Sequence, residues 1–122
     1  MNDMTKISDA NLIAADDVNG SDVYNLAGEK LGKIEDIMID RISGRAVYAV
    51  LSFGGFLGMG DKHYPLPRST LRYDTAKDGY VVNMEKDRLE KAPSYDMAGD
   101  FKWTSAYGRG VDTYYNVPSM WM

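Results

Sequence analysis

The spacing of turn residues along this chain predicts a mainly β fold, a small antiparallel β-barrel with one short helix and an aromatic-rich C-terminal extension. Three observations predict it. Asn19-Gly20, Ala27-Gly28, Ser43-Gly44, Gly54-Gly55 and Asp78-Gly79 each supply a residue that tolerates positive φ. Between and after them lie short β-branched and aromatic runs at residues 22–26, 33–40, 46–53, 63–66, 71–74 and 80–83, the spacing of a barrel or sandwich. Within this central region only residues 84–92 read as helix.

Each element has its own justification. In the run 33–40, Ile37 and Ile39 alternate with Met38 and Asp40, while Ile34 is one residue out of step. A β-bulge across Glu35 and Asp36 would restore the register. The run 46–53, Ala-Val-Tyr-Ala-Val-Leu-Ser-Phe, is apolar on both alternating faces, which predicts a central strand covered on two sides. Residues 37–53 then form a long hairpin closed by residues 41–45, with Gly44 in the left-handed conformation and charges on its outer face. Residues 84–92 are ended by Pro93, with Asn83 as the expected N-cap and Leu89 as the apolar anchor.

At 122 residues and 13.6 kDa, folding hides roughly two-thirds of the surface that the unfolded chain exposes, so one domain with arms can form a core without covalent staples. The absence of cysteine excludes disulfides and thiolate metal sites. No apolar stretch approaches the roughly 20 residues of a membrane-spanning helix. Residues 12–15 are a four-residue apolar patch between Asp9 and Asp16, unlike the core of a signal peptide, and the chain is read as cytoplasmic. Charge divides it further: residues 1–19 carry −3, residues 20–95 balance eleven acids with eleven bases, and residues 96–122 carry −1. Without clustered Lys and Arg there is no footprint for a phosphate backbone, which argues against direct nucleic-acid binding. Lys and Arg also look too dispersed along the chain to be drawn strongly to an anionic lipid surface.

The residues that could carry chemistry are few. His63 is the lone histidine, and zinc needs three or four ligands, so no metal, cofactor or catalytic set is expected. Ser43, Ser52, Ser69 and Ser94 would all depend on that one histidine as base, and none lies in a nucleophile-elbow motif. The glycine-rich run at residues 54–62 has no G-K-[ST] and the wrong spacing for a dinucleotide turn. Its Phe56, Leu57 and Met59 instead suggest an apolar loop over a barrel mouth or against a partner. The tail is the anomaly: Phe101, Trp103, Tyr107, Tyr114, Tyr115 and Trp121 are six of the chain's fourteen aromatics. A disordered tail would be depleted in them. Gly108, Gly110 and Pro118 interrupt a continuous helix, so an irregular or short-helical segment is expected, pressed onto its own barrel, a second subunit or another protein. The expected interaction surface is therefore Phe56, Leu57, Met59, Trp103, Tyr107, Tyr114, Tyr115 and Trp121.

Four motifs carry a resemblance. Ser21-Asp22-Val23-Tyr24-Asn25, residues 28–36 (Gly-Glu-Lys-Leu-Gly-Lys-Ile-Glu-Asp), Gly54-Gly55-Phe56-Leu57-Gly58 with Asp61-Lys62, and residues 89–96 (Leu-Glu-Lys-Ala-Pro-Ser-Tyr-Asp) resemble, in that order, the PRC-barrel family. That family includes the cytoplasmic domain of the photosynthetic reaction-centre H subunit and the C-terminal domain of a ribosome maturation factor. The resemblance spans residues 20–96 and leaves 1–19 as an acidic arm and 97–122 as the extension. It implies a small barrel similar to stand-alone bacterial members, which look like dimerising adaptors, with no family catalytic residues to carry over. A non-enzymatic adaptor module, homodimeric and with a further protein partner, is the function expected. A ribosome- or RNA-processing-associated factor, or a peripheral assembly factor of a membrane electron-transfer complex, is the alternative.

Overall fold

The computed structural model describes residues 12–53, 62–96, 101–119 and 121. A short helix α1 (Ala15–Val18) leads into β1 (Asp22–Tyr24), β2 (Lys30–Ile39) and β3 (Ala46–Phe53). Then come β4 (Lys62–Pro67), a 3-10 turn (Arg68–Thr70), β5 (Leu71–Asp74) and β6 (Gly79–Val82). Helix α2 (Lys86–Glu90), β7 (Tyr95–Asp96) and helix α3 (Ser105–Tyr114) complete the chain. All six expected strands form, most within a residue or two of their expected ends.

The seven strands make one sheet in the order β5-β6-β1-β2-β3-β4-β7. Two expectations need correction. The sheet is not wholly antiparallel: β2 occupies one edge of β1, and β6 docks parallel on the other, pairing Val23 with Tyr80. Nor, among the described residues, does hydrogen bonding close it into a barrel, since β5 and β7 stand at its edges. The prolines of β4 supply a physical reason. Pro65 and Pro67 pair with Val50 and Tyr48 on the β3 side, while among the described residues β7 joins the far side of β4 at Lys62 and His63. Beyond His63 that edge lacks the N–H donors a further strand would need.

The bulge forms where expected, the β2–β3 register shifting between Ile34 and Asp36. In consequence Ile34 stands opposite Leu51 and Ile37 opposite Ala49, all on one face with Tyr64 and Leu66 of β4. This face forms the main core with Val23, Leu31, Val82 and Leu89. The β2–β3 turn has Gly44 at φ 78°, its N–H donating to Asp40 C=O at 2.7 Å. In α2 Leu89 is fully buried as expected, but the N-cap is Glu85 rather than Asn83, because the helix begins only at Lys86.

The other face of β3 carries Tyr48, Val50 and Ser52 opposite Met38, Asp36 and Lys33 of β2. The C-terminal extension covers its Tyr48 end. Thr104 caps α3 by accepting the Tyr107 N–H at 3.0 Å, and the buried positions Gly108, Val111, Asp112 and Tyr115 recur at helical spacing. Contrary to expectation, the helix continues through Gly108 and Gly110. It ends at Asn116, with φ 57°, where Asn116 N–H donates to Thr113 C=O and Val117 N–H to Asp112 C=O, a Schellman closure before Pro118.

Candidate functional site

Tyr48 organises the outer layer. Its hydroxyl donates to Asp112 Oδ1 at 2.9 Å and accepts from Trp121 Nε1 at 2.6 Å. Trp103 lies 5.0 Å from the Tyr48 ring, centroid to centroid, and Tyr107 stands edge-on to Trp103 at 5.4 Å. Burial, with the neighbouring Asp112 carboxylate, pushes the Tyr48 hydroxyl pKa up to about 12. Burial likewise raises Tyr107 and Tyr115, whose enclosed hydroxyls have no partner among the described residues. Tyr114 ties α3 to α2 reciprocally, its hydroxyl donating to Arg88 C=O at 2.5 Å while Arg88 Nη2 donates to Tyr114 C=O at 3.0 Å.

The structure therefore brings Trp103, Tyr107, Tyr114, Tyr115 and Trp121 together against the chain's own core. Phe56, Leu57 and Met59 lie outside the described residues. His63 is half-buried, with Tyr95 edge-on at 5.5 Å. Ser52 pairs across from it, and the Ser52 hydroxyl donates to Glu35 Oε2 at 2.9 Å. Among the described residues no group of three His, Asp or Glu side chains could hold a metal ion.

A second feature was not singled out from sequence. A groove of about 810 Å³ opens between the main sheet and the β5–β6 hairpin, with Ile34, Ile37 and Ala49 among its lining residues and Leu71 and Tyr80 on the hairpin side. Leu12, Ile13, Ile39 and Tyr73 also line it, each from 41% to 69% exposed. These four belong to a set of six exposed large hydrophobic residues among those described; a fifth, Ile42, sits in the β2–β3 turn and is 96% exposed. Isolated exposed apolar residues are ordinary; here four of them collect around one concavity. The sequence signal was present in part, since Leu12-Ile13 and Ile42 interrupt otherwise polar segments. Their convergence needed the fold.

Charge is arranged simply nearby. Asp22, bonded to Lys30 and Lys33 at 3.1 and 3.3 Å, has its pKa lowered chiefly by the Lys30 hydrogen bond. Asp40 is held below the usual carboxylate range by the Ser43 hydroxyl and the Ile42 N–H. The fold is thus a small, mostly antiparallel β domain with a groove of mixed polar and apolar lining beside the β5–β6 hairpin. A family model for the PRC-barrel domain matches residues 10–89, and the chain belongs to that family. No curated protein matches the chain significantly. Among the described residues no helix is long and apolar enough to cross a membrane.

Proposed function

We propose that the chain is a non-enzymatic protein-interaction module that works in the cytoplasm and self-associates as a homodimer through the groove. The observation that carries this reading is the gathering of four exposed apolar side chains, Leu12, Ile13, Ile39 and Tyr73, around one concavity of mixed polar and apolar lining. Membership of the PRC-barrel family, a kind of interaction module, supports it.

The expected strength follows from the rim. Fully burying one large apolar side chain contributes about 1.5–3 kcal/mol. Four half-exposed residues on each of two copies contribute on the order of 8 kcal/mol by that measure. Association itself costs roughly 4–15 kcal/mol. The two terms are of similar size, so any dimer formed this way is weak and concentration-dependent; symmetric pairs are the commonest soluble assembly. Light scattering after size exclusion, over a range of concentrations, tests this. The full chain should approach dimer mass as concentration rises, and Leu12→Asp or Ile39→Asp should hold it at monomer mass with an unchanged melting temperature. A monomer at every concentration, or a dimer indifferent to both substitutions, overturns the reading.

A further inference from the structure

The β2–β3 turn presents a convex tip that the groove does not account for. Ile42 stands at its apex, 96% exposed, between the exposed Arg41 and Arg45. A cleft of about 580 Å³ joins this tip to the 3-10 turn: Arg45 and Arg68 both line it, with Ser43 and Ser69. The fold thus gathers at one end arginines that sequence separates by more than twenty positions and that look dispersed along the chain.

The acids at this end are already engaged. Asp40 lines the same cleft, where its carboxylate accepts from the Ile42 N–H and the Ser43 hydroxyl within the turn. Asp112, also in the lining, is buried and accepts from Tyr48. Among the described residues none of Arg41, Arg45 and Arg68 has an ion-pair partner. Lys30 and Lys33, which do pair, lie toward the opposite end of β2.

We propose that this tip docks on an anionic phospholipid surface, with Ile42 entering the headgroup boundary and Arg41, Arg45 and Arg68 contacting phosphate. Guanidinium groups meet phosphate oxygens in a bidentate geometry, and unpaired arginines give up no existing partner to do so. Shape favours a bilayer over a protein at this point, because a single projecting isoleucine needs a preformed pocket on a protein but only a deformable interface on a membrane. Each basic group near an anionic surface contributes about a fivefold gain in binding, so three give weak, reversible and salt-sensitive attachment. Arg68 and Ile39 also line the groove, so a protein held there would be carried to the membrane surface. Arg41, Ile42 and Arg45 do not line the groove, so their docking is independent of dimerisation through it.

Vesicle co-sedimentation of the full chain tests it, comparing phosphatidylcholine alone with a mixture containing about 30 mol% phosphatidylglycerol. Binding is expected only to the anionic vesicles, falling at least about tenfold when salt reaches ~1 M and the screening length shrinks to about 3 Å. The double variant Arg41→Glu/Arg45→Glu should lose at least about tenfold in affinity. Lys86→Glu/Lys91→Glu, which changes net charge equally on and beside α2, should bind nearly as wild type. Ile42→Asp, at a side chain with almost no contacts to lose, should fold normally and bind more weakly. Absence of binding to anionic vesicles, or equal losses for the arginine and lysine variants, overturns the proposal. A shift of solution mass by the tip variants without vesicle binding also overturns it and assigns the tip to a protein contact.

Discussion

Two glycines in one helix, subjected to the same substitution, should respond with opposite sign. A Cβ at Gly110 would meet nothing within 4 Å, so Gly110→Ala gains only helix propensity, about 0.8–1 kcal/mol of stabilisation. At Gly108 the added Cβ would fall inside the indole of Trp121. The same propensity gain is then opposed by displacement of that ring. Displacement loses the Trp121 Nε1–Tyr48 hydrogen bond, worth about 1 kcal/mol net, and the packing of a half-buried indole, worth about 2 kcal/mol. Gly108→Ala should therefore cost about 2 kcal/mol overall, a fall of roughly 6–8 °C in Tm for a domain of this size. Urea and thermal unfolding followed by circular dichroism would measure both changes, with tryptophan emission reporting whether Trp121 becomes solvated. A Trp121→Ala background supplies the decisive control: with the indole removed, Gly108→Ala should turn stabilising, an interaction energy of more than about 2 kcal/mol in the double-mutant cycle. If Gly108→Ala is neutral or stabilising in the intact chain, the account of the C-terminal layer as an integral part of the fold is refuted.

Two further outcomes follow from the same layer. Tyr48→Phe removes the donor to the buried Asp112 carboxylate and should destabilise the fold by about 1–3 kcal/mol by chemical denaturation, with Tyr48→Phe/Asp112→Leu recovering part of that loss; equal stability of Tyr48→Phe and wild type would contradict the buried pair. The Tyr48 pKa is raised from an ordinary value near 10 to about 12, and burial also raises Tyr64, Tyr80 and Tyr95, so the native state keeps these hydroxyls protonated after the unfolded chain has begun to ionise. Their contribution is fully present below about pH 10 and is lost as pH rises through the folded values, so urea midpoints should fall steeply above pH 10 and phenolate absorbance should rise with unfolding; a midpoint flat to pH 12 would contradict it.

The strands were legible because their signals are local. Turn glycines and a period of two mark each of them, and the misplaced Ile34 sufficed to reveal the bulge that brings it onto the same face as Ile37. Strand β3 read as covered on both faces because Tyr48 and Val50 are apolar on the side opposite Ala49 and Leu51, and both faces are indeed covered. Open edges and the parallel β1–β6 pair were not legible, since they depend on where the β5–β6 hairpin docks after a crossover that no local pattern records. A short helical segment in the tail was legible, but its continuity through Gly108 and Gly110 was not, for a related reason. Glycine lowers helix propensity by about 1 kcal/mol wherever it occurs. Only the return of Trp121 thirteen residues later shows why Gly108 belongs in this helix, while nothing in the structure explains Gly110.

The same distinction separates the two kinds of aromatic and apolar residue in this chain. A cluster of tail aromatics could have been an adhesive surface or the missing cover of a strand, and sequence gives both the same composition. In the structure the tail covers the Tyr48 face, where Asp112 and Trp121 are the partners of the Tyr48 hydroxyl. Residues that complete such a buried network are committed to the fold, and spending them on a partner would reopen Tyr48 and Asp112 to water. The proposed interactions therefore fall on side chains that the fold leaves exposed: Leu12, Ile13, Ile39 and Tyr73 at the groove, and Ile42 with its arginines at the tip. In sequence those residues look like scattered exceptions in polar segments. Their significance is positional, arising when the β2–β3 hairpin, α1 and β5 converge on one end of the sheet.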